Sequence, residues 1–152
     1  MPAGDRRGKE IRLSAKENKA VVRRVIEEIF NQGNLDAADE LIAPDYLHHD
    51  PAIPQEVRSP ADYKEFAAAY RAAFPDLHME IEEQIAQGDF VATRWTRTGT
   101  HDGDLMGIAP TGNRVTQPGI DISRVSDGKV AETWEGYNPM VTMQQIGVIP
   151  HH

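Results

Sequence analysis

Residues 115–137 read VTQPGIDISRVSDGKVAETWEGY, and this stretch decides the fold class. Apolar and polar residues alternate through 115–125 and again through 130–137, the pattern of two β-strands that each bury one face. Between the two runs, Asp127-Gly128 is a favoured pair for a two-residue hairpin loop. The stretch therefore predicts an antiparallel hairpin.

The hairpin also predicts which side chains meet across it. An unbroken ladder around Asp127-Gly128 places Asp121 opposite Trp134 and Ser123 opposite Glu132. Opposed side chains share a face, with Cβ atoms roughly 5 Å apart. This register puts an indole against the Asp121 carboxyl group and makes Glu132 a rival candidate for a catalytic base. A slip of one residue would move Trp134 to the other face.

Asp121 is the residue whose environment matters most. An acid within a strand faces water, finds partners, or lies in an apolar pocket that changes its protonation state. The flanking Ile120 and Ile122 point to one side of the strand, so Asp121 points to the other, which is either solvent or a lined cavity. The residues alone leave both possibilities open.

Three helices are predicted before the strands, over 14–33, 34–44 and 59–75. The first helix starts at a capping box formed by Ser14 and Glu17, and the second starts at Asn34 as N-cap. The third starts at Ser59, which is followed by a proline at the first helical position. Their stops are Gly33, Pro44 and Pro75. The aromatic stripe of the third helix, which includes Phe66, is typical of a packed core.

After residue 75 the apolar period changes from helical to alternating, which predicts strands. Gly88-Asp89 turns the first of these into a second one over 90–98, and the glycine-rich segment 99–113 is predicted as a loop or broken strand. Helices followed by a meander of strands indicate an α+β fold. We expect N-terminal helices packed on a curved antiparallel sheet, an arrangement that can enclose a pocket.

Composition excludes several classes of function. The 152 residues suggest one domain, and the net charge of −8 argues against a nucleic-acid or anionic-membrane partner. The absence of cysteine excludes disulfides, thiolate nucleophiles and Cys-ligated metals, and is compatible with the cytoplasm. We expect residues 1–13 to be a flexible polar arm and 14–150 a single domain, and we assign no role to His151 and His152.

The remaining motifs give weaker signals. His48-His49-Asp50 contains residue types that bind metals, but adjacent residues of an extended chain point to opposite sides. We therefore predict no metal site here. A histidine at a pocket edge or on the surface fits this motif better. Trp95, Arg97 and His101 share strand parity, which would place His101 near the mouth of a cavity. No GxSxG, GxGxxG or P-loop occurs, which disfavours nucleophilic catalysis and nucleotide binding.

Taken in order, these motifs resemble those of the SnoaL-like polyketide cyclases, in the wider nuclear-transport-factor-like α+β superfamily. The resemblance covers residues 16–149. Its carriers are FNQGN at 30–34, YLHHDP at 46–51, FPD at 74–76, GTHDG at 99–103, MGI at 106–108, GIDI at 119–122, DGK at 127–129 and ETW at 132–134.

The resemblance implies a cone-shaped cavity and a cofactor-free intramolecular aldol cyclisation. Asp121 would be the general acid/base and His101 its helper. The substrate would be a hydrophobic or aromatic small molecule, and we assign its contacts to His49, Phe66, Trp95, Met106 and Trp134. The resemblance also implies a homodimer or higher homo-oligomer. Alternatives are an isomerase, an epoxide hydrolase, a hydroxylase-like enzyme or a non-catalytic binding module in the same cavity.

Overall fold

The computed structural model describes residues 3–53 and 55–150, with side chains from residue 14 onward. His151 and His152 lie outside this part of the chain. The helical elements are α1 Ala3–Arg24, a π-helix Val25–Asn31, a 3₁₀ helix Leu35–Ala37, α2 Ala38–Leu41, α3 Pro60–Ala73 and α4 Met140–Gln145. The strands are β1 Ile42–His49, β2 His78–Gln87, β3 Phe90–Thr100, β4 Arg114–Ser126 and β5 Lys129–Gly136.

One sheet of five strands, in the order β1-β5-β4-β3-β2, carries the helices on one face. The order is linear, so the sheet is open rather than a closed barrel. β2 to β5 pair antiparallel in succession, and β1 joins the edge parallel to β5. The predicted α+β class is confirmed, and the sheet is mixed because β1, which was not predicted as a strand, adds a parallel edge.

The start of α3 agrees with the sequence prediction, whereas the start of α1 does not. Ser59 caps α3 by accepting a hydrogen bond from the Asp62 N–H at 3.1 Å, as the sequence predicts. The predicted start at Ser14 is wrong, because α1 begins at Ala3. Residues 3–13 contain many good helix formers and no proline, so nothing in them stops the helix. That 1–13 forms a flexible arm stays a prediction.

The second helix ends earlier than predicted. α2 stops at Leu41, and Ile42 already belongs to β1, which passes through Pro44. Proline is tolerated there because β1 is an edge strand of the sheet. No helix within 3–53 or 55–150 has the length and apolar character needed to cross a membrane.

The β4–β5 hairpin contains an irregularity that decides the site. Asp127 and Gly128 both have positive φ, +52° and +76°, as a two-residue hairpin turn requires. The predicted pair of Ser126 with Lys129 forms, but the ladder then shifts between Val125 and Arg124. Ala131 is the extra residue of a β-bulge, so every pair beyond it differs by one from an unbroken ladder.

Because of the bulge, the predicted register is wrong for every pair beyond it. Asp121 lies opposite Glu135, and Trp134 lies opposite Ile122 on the outer face of the sheet. Beyond the bulge, Thr133 and Glu135 point to the inner face that the helices cover. Along β4, the odd-numbered residues from Val115 to Val125 are buried on that face, so Asp121 points into the molecule.

Candidate active site

A cavity lies between the inner face of the sheet and the helices. Its walls come from α1, the π-helix, α3 and four of the strands, and its lining is largely apolar with a polar floor. It is lined by Val22, Val25, Ile26, Phe30, Asp50, Tyr63, Phe66, Tyr70, Met79, Trp95, Arg97, Asp121, Ser123, Val130, Thr133, Glu135 and Tyr137. Most of the site is therefore built on regular secondary structure.

Asp121 lies in the floor of this cavity and is 9% exposed. Its Oδ1 and the Nε1 of Trp95 are both buried without a hydrogen-bond partner among the described residues. The indole lies beside the carboxyl group on the neighbouring strand, but the two do not form a hydrogen bond. Burial raises the pKa of Asp121 from 3.8 to about 7, and the Trp95 indole opposes part of that rise. A carboxyl group in this state can both take and return a proton near neutral pH.

Glu135 is a second acid on the same rung of the sheet, directly across from Asp121. Its side chain is 16% exposed and lines the cavity. Burial, followed by the charge of Asp121, raises the pKa of Glu135 well above its ordinary value, while Arg97 opposes the rise. The sequence analysis missed Glu135, because without the bulge it would face outward.

Asp50 and His48 complete the polar end of the cavity. His48 Nε2 lies 4.0 Å from Asp50 Oδ2 and 3.9 Å from Glu135 Oε1, and its Nδ1 is 2.7 Å from the Tyr46 hydroxyl. Burial lowers the pKa of His48 to about 4, so its ring is neutral at pH 7. Asp50 Oδ2 accepts a hydrogen bond from the Tyr137 hydroxyl at 3.0 Å. His48 thus lies on the cavity side of the sheet, against the lining residues Asp50 and Glu135, but is not itself a lining residue.

His49 and Trp134 were assigned to the substrate, but both lie on the opposite face of the sheet. Their rings stack at 5.2 Å, and Trp134 is 37% exposed. His49 Nε2 contacts Glu132 Oε2 at 2.7 Å. Their predicted place in the cavity is therefore wrong, since the bulge reverses the face of Trp134 and strand alternation sends His49 outward with it.

Because of the same bulge, Glu132 does not face the cavity and is not a rival candidate for the base. It lies opposite Arg124 rather than Ser123, and Arg124 Nη2 is 3.3 Å from its carboxylate. The hydrogen bond with His49 lowers the pKa of Glu132. A carboxyl group that stays ionised on the outer face takes no part in cavity chemistry.

His101 is fully buried but does not reach Asp121. It follows β3, eight residues beyond Thr93, the residue that pairs with Asp121. Its ring lies 5.8 Å from that of Phe74, and its Nδ1 is 3.0 Å from Thr111 Oγ1. It is not among the residues that line the cavity. This geometry indicates that His101 fixes the 101–113 loop and gives no support to its predicted role as helper.

The other assigned contacts lie at or near the cavity. Phe66 and Trp95 line it, while Met106 lies on the exposed 101–113 loop. Phe66 and Tyr70 also line an open groove between α3 and that loop, and Met106 belongs to this groove. The groove and the cavity therefore share two side chains of α3. No group of three possible metal ligands occurs within the described part of the chain.

Three comparisons agree on the kind of protein that this chain resembles. The family model described as SnoaL-like polyketide cyclase matches residues 20–146. The aklanonic acid methyl ester cyclase DnrD of Streptomyces peucetius is 29% identical over 133 residues, covering 84% of this chain and 88% of the relative. The nogalonic acid methyl ester cyclase of Streptomyces nogalater is 30% identical over 121 residues, covering 78% and 89%.

A solved structure extends this similarity to the fold. The crystal structure of AclR, a putative hydroxylase from Streptomyces galilaeus, superposes with a TM-score of 0.78 at 33% identity. The match covers 91% of this chain and 85% of AclR. The same scaffold is therefore shared by proteins that carry names of two different activities.

Proposed function

Because this chain belongs to the SnoaL-like polyketide cyclase family, we propose that it catalyses a cofactor-free intramolecular aldol cyclisation with Asp121 as general acid/base. The observation that supports this proposal most is the buried carboxyl group of Asp121, whose pKa burial raises to about 7 within an apolar cavity. An Asp in water is too weak a base for carbon acids, and desolvation strengthens it.

The proposed reaction needs one group that moves a proton in both directions. Ionised Asp121 takes a proton from a carbon that lies between two carbonyl groups. The resulting enolate carbon attacks a ketone carbon of the same molecule, forming the carbon–carbon bond and an alkoxide. Protonated Asp121 then returns its proton to the alkoxide, so protons and charge balance without a metal or a redox partner.

The cavity walls would supply the rest of the catalysis. Phe30, Phe66 and Trp95 offer apolar surfaces against which a flexible chain can fold into a reactive conformer. Such positioning can contribute several kcal/mol to lowering the barrier. Two relatives are named as cyclases of methyl esters of aklanonic and nogalonic acid. We therefore propose an aromatic polyketide, bound as a neutral ester, as the substrate class.

The proposal is tested by replacing Asp121 with asparagine, which keeps the shape of the side chain but cannot accept the proton. We expect kcat to fall about 10²–10⁴-fold with KM little changed. The assay is cyclisation of an aromatic polyketide methyl ester, with folding checked by circular dichroism. Asp127→Asn, in the exposed hairpin turn, is the matched control and should retain full activity. Near-native turnover by Asp121→Asn would refute the general-base role.

A second candidate is a hydroxylation in the same cavity, favoured by the similarity to AclR. The two reactions differ in mass balance, since cyclisation by aldol addition leaves the product mass unchanged whereas hydroxylation adds one oxygen atom. Mass spectrometry of the product, under air and under nitrogen, separates them. A product heavier by one oxygen, formed only under air, would favour the hydroxylase.

A further inference from the structure

Arg97 is the basic residue of the cavity, and it is held there by aromatic rings rather than by acids. Its guanidinium carbon lies 4.6 Å from the ring centre of Tyr70, 5.3 Å from that of Trp95 and 5.5 Å from that of Tyr137. Cation–π contacts of this kind fix the plane and position of a guanidinium. The three rings come from α3, β3 and the segment after β5, so the whole fold sets this position.

The donors of Arg97 are left without a protein acceptor. Among residues 14–53 and 55–150, no carboxylate lies within 4.0 Å of its guanidinium and no hydrogen bond engages it. Most arginines of this chain behave differently, as Arg94 with Glu83 and Arg114 with Asp76 show. A guanidinium has five N–H donors in a fixed fork, which suits an anionic oxygen. In Arg97 this fork faces the cavity.

Arg97 also lies within electrostatic reach of the acidic end of the same cavity. Its charge opposes the rise in the pKa of Glu135, although the two form no ion pair. Thr93, the partner of Asp121, lies four residues earlier on β3, roughly 13 Å along the strand. The guanidinium and the Asp121 carboxyl group therefore line the same cavity at different points along β3 and β4.

We propose that Arg97 forms an anion subsite that binds an ionised enol or phenol oxygen of a planar, conjugated ligand. This inference rests on the proposed function for the identity of the physiological ligand, whose enolate Arg97 would stabilise after Asp121 removes the proton. A charged donor preorganised where negative charge develops stabilises a transition state strongly. The aromatic rings would at the same time stack on the ligand plane.

The test uses 2-hydroxyanthraquinone, a phenol whose ionised form absorbs at longer wavelength than its neutral form. Bound to the wild-type protein, the probe should ionise about 1–3 pH units lower than when bound to Arg97→Met, because an opposite charge at close range favours the anion. Arg97→Lys should retain part of the shift. Arg94→Gln removes an exposed arginine of the same strand and should behave as wild type. Anthraquinone, which lacks the hydroxyl group, should bind wild type and Arg97→Met equally.

Equal ionisation of the probe in wild type and Arg97→Met, or failure of the probe to bind wild type at all, would overturn the subsite. The readout needs no turnover, so it is independent of the reaction. Asp121→Asn should keep the spectral shift even though its cyclisation is about 10²–10⁴-fold slower. If the wild-type protein shows the shift but has no cyclase activity, the anion subsite stands and the proposed function fails.

Discussion

Asp121 and Glu135 share one rung of the β4–β5 ladder, and both side chains line the cavity. Two carboxyl groups so placed cannot both ionise easily, because each negative charge raises the cost of the other. Their protons therefore leave in two steps that belong to the pair. Near neutral pH this favours a state with one proton on the pair, which suits a group that must first accept a proton and later donate it.

This arrangement predicts how stability depends on pH. The pKa of Asp121 is 3.8 ordinarily and about 7 in the folded protein, so the folded state holds this proton more tightly than the unfolded state. The resulting stabilisation is complete below pH 4 and is lost as the pH rises through 7. Asp121→Asn cannot ionise and should escape this loss. We expect the variant to exceed wild type by about 2–4 kcal/mol in unfolding free energy at pH 8.

The measurement is urea unfolding followed by circular dichroism at pH 4 and at pH 8. At pH 4 the two proteins should differ little, since Asp121 is then protonated in the wild type as well. An equal difference at both pH values would mean that Asp121 titrates normally, and it would remove the physical basis of its role as a base.

At the scale of elements, the bulge at Ala131 shows why the site could be predicted only in part. Strands β2 to β5, the Asp127-Gly128 turn and the cap of α3 follow from local patterns, and all were predicted. A bulge at a small residue has no comparable local signature. Because one extra residue reverses every face beyond it, the predicted register put Glu132 on the face of Asp121, whereas in the structure Glu135 is opposite Asp121 and Glu132 lies on the outer face.

β1 was missed for a different physical reason. It contains a proline and pairs parallel to β5, a strand about 85 residues further along the chain. Only this long-range pairing makes the segment a strand, so local patterns could not indicate it. Because of that pairing, Asp50 reaches the cavity and His48 packs beside it. Similarly, the sequence predicted that Arg97 shares a strand face with Trp95. It could not indicate that three aromatic rings surround Arg97, because those rings come from three separate elements.

Gly119 on β4 leaves room for the indole ring of Trp95 on β3. A Cβ on Gly119 would overlap the ring of Trp95, its partner on β3. Gly119→Ala should therefore push the indole away from Asp121 and destabilise the protein by about 1–3 kcal/mol, as overpacking of a core does. Thermal unfolding measures the stability, and the emission spectrum of the tryptophans reports the displacement. An unchanged melting temperature and spectrum would show that the indole has free space elsewhere.

The whole molecule presents one sheet with two chemically different faces. The inner face, under the helices, holds the acids, Arg97 and the cavity. The outer face carries no helix in the described part of the chain, yet five large apolar side chains are exposed on it, namely Ile85, Phe90, Ile120, Ile122 and Trp134. An exposed apolar patch of this kind marks an interaction surface. The family resemblance implies assembly of like subunits, and this face is suited to it.

We propose that two copies pair through this outer face. Light scattering at micromolar concentration should then give about twice the mass of the 16.9 kDa chain. Ile122→Glu would place two like charges in the apolar centre of a symmetric interface, so it should shift the protein to monomer. Val148→Glu alters an exposed apolar residue outside the sheet and should leave the mass unchanged. Because Asp121 points away from this face, monomeric Ile122→Glu should keep its cavity and still bind the anthraquinone probe. A wild-type monomer at these concentrations would contradict the pairing.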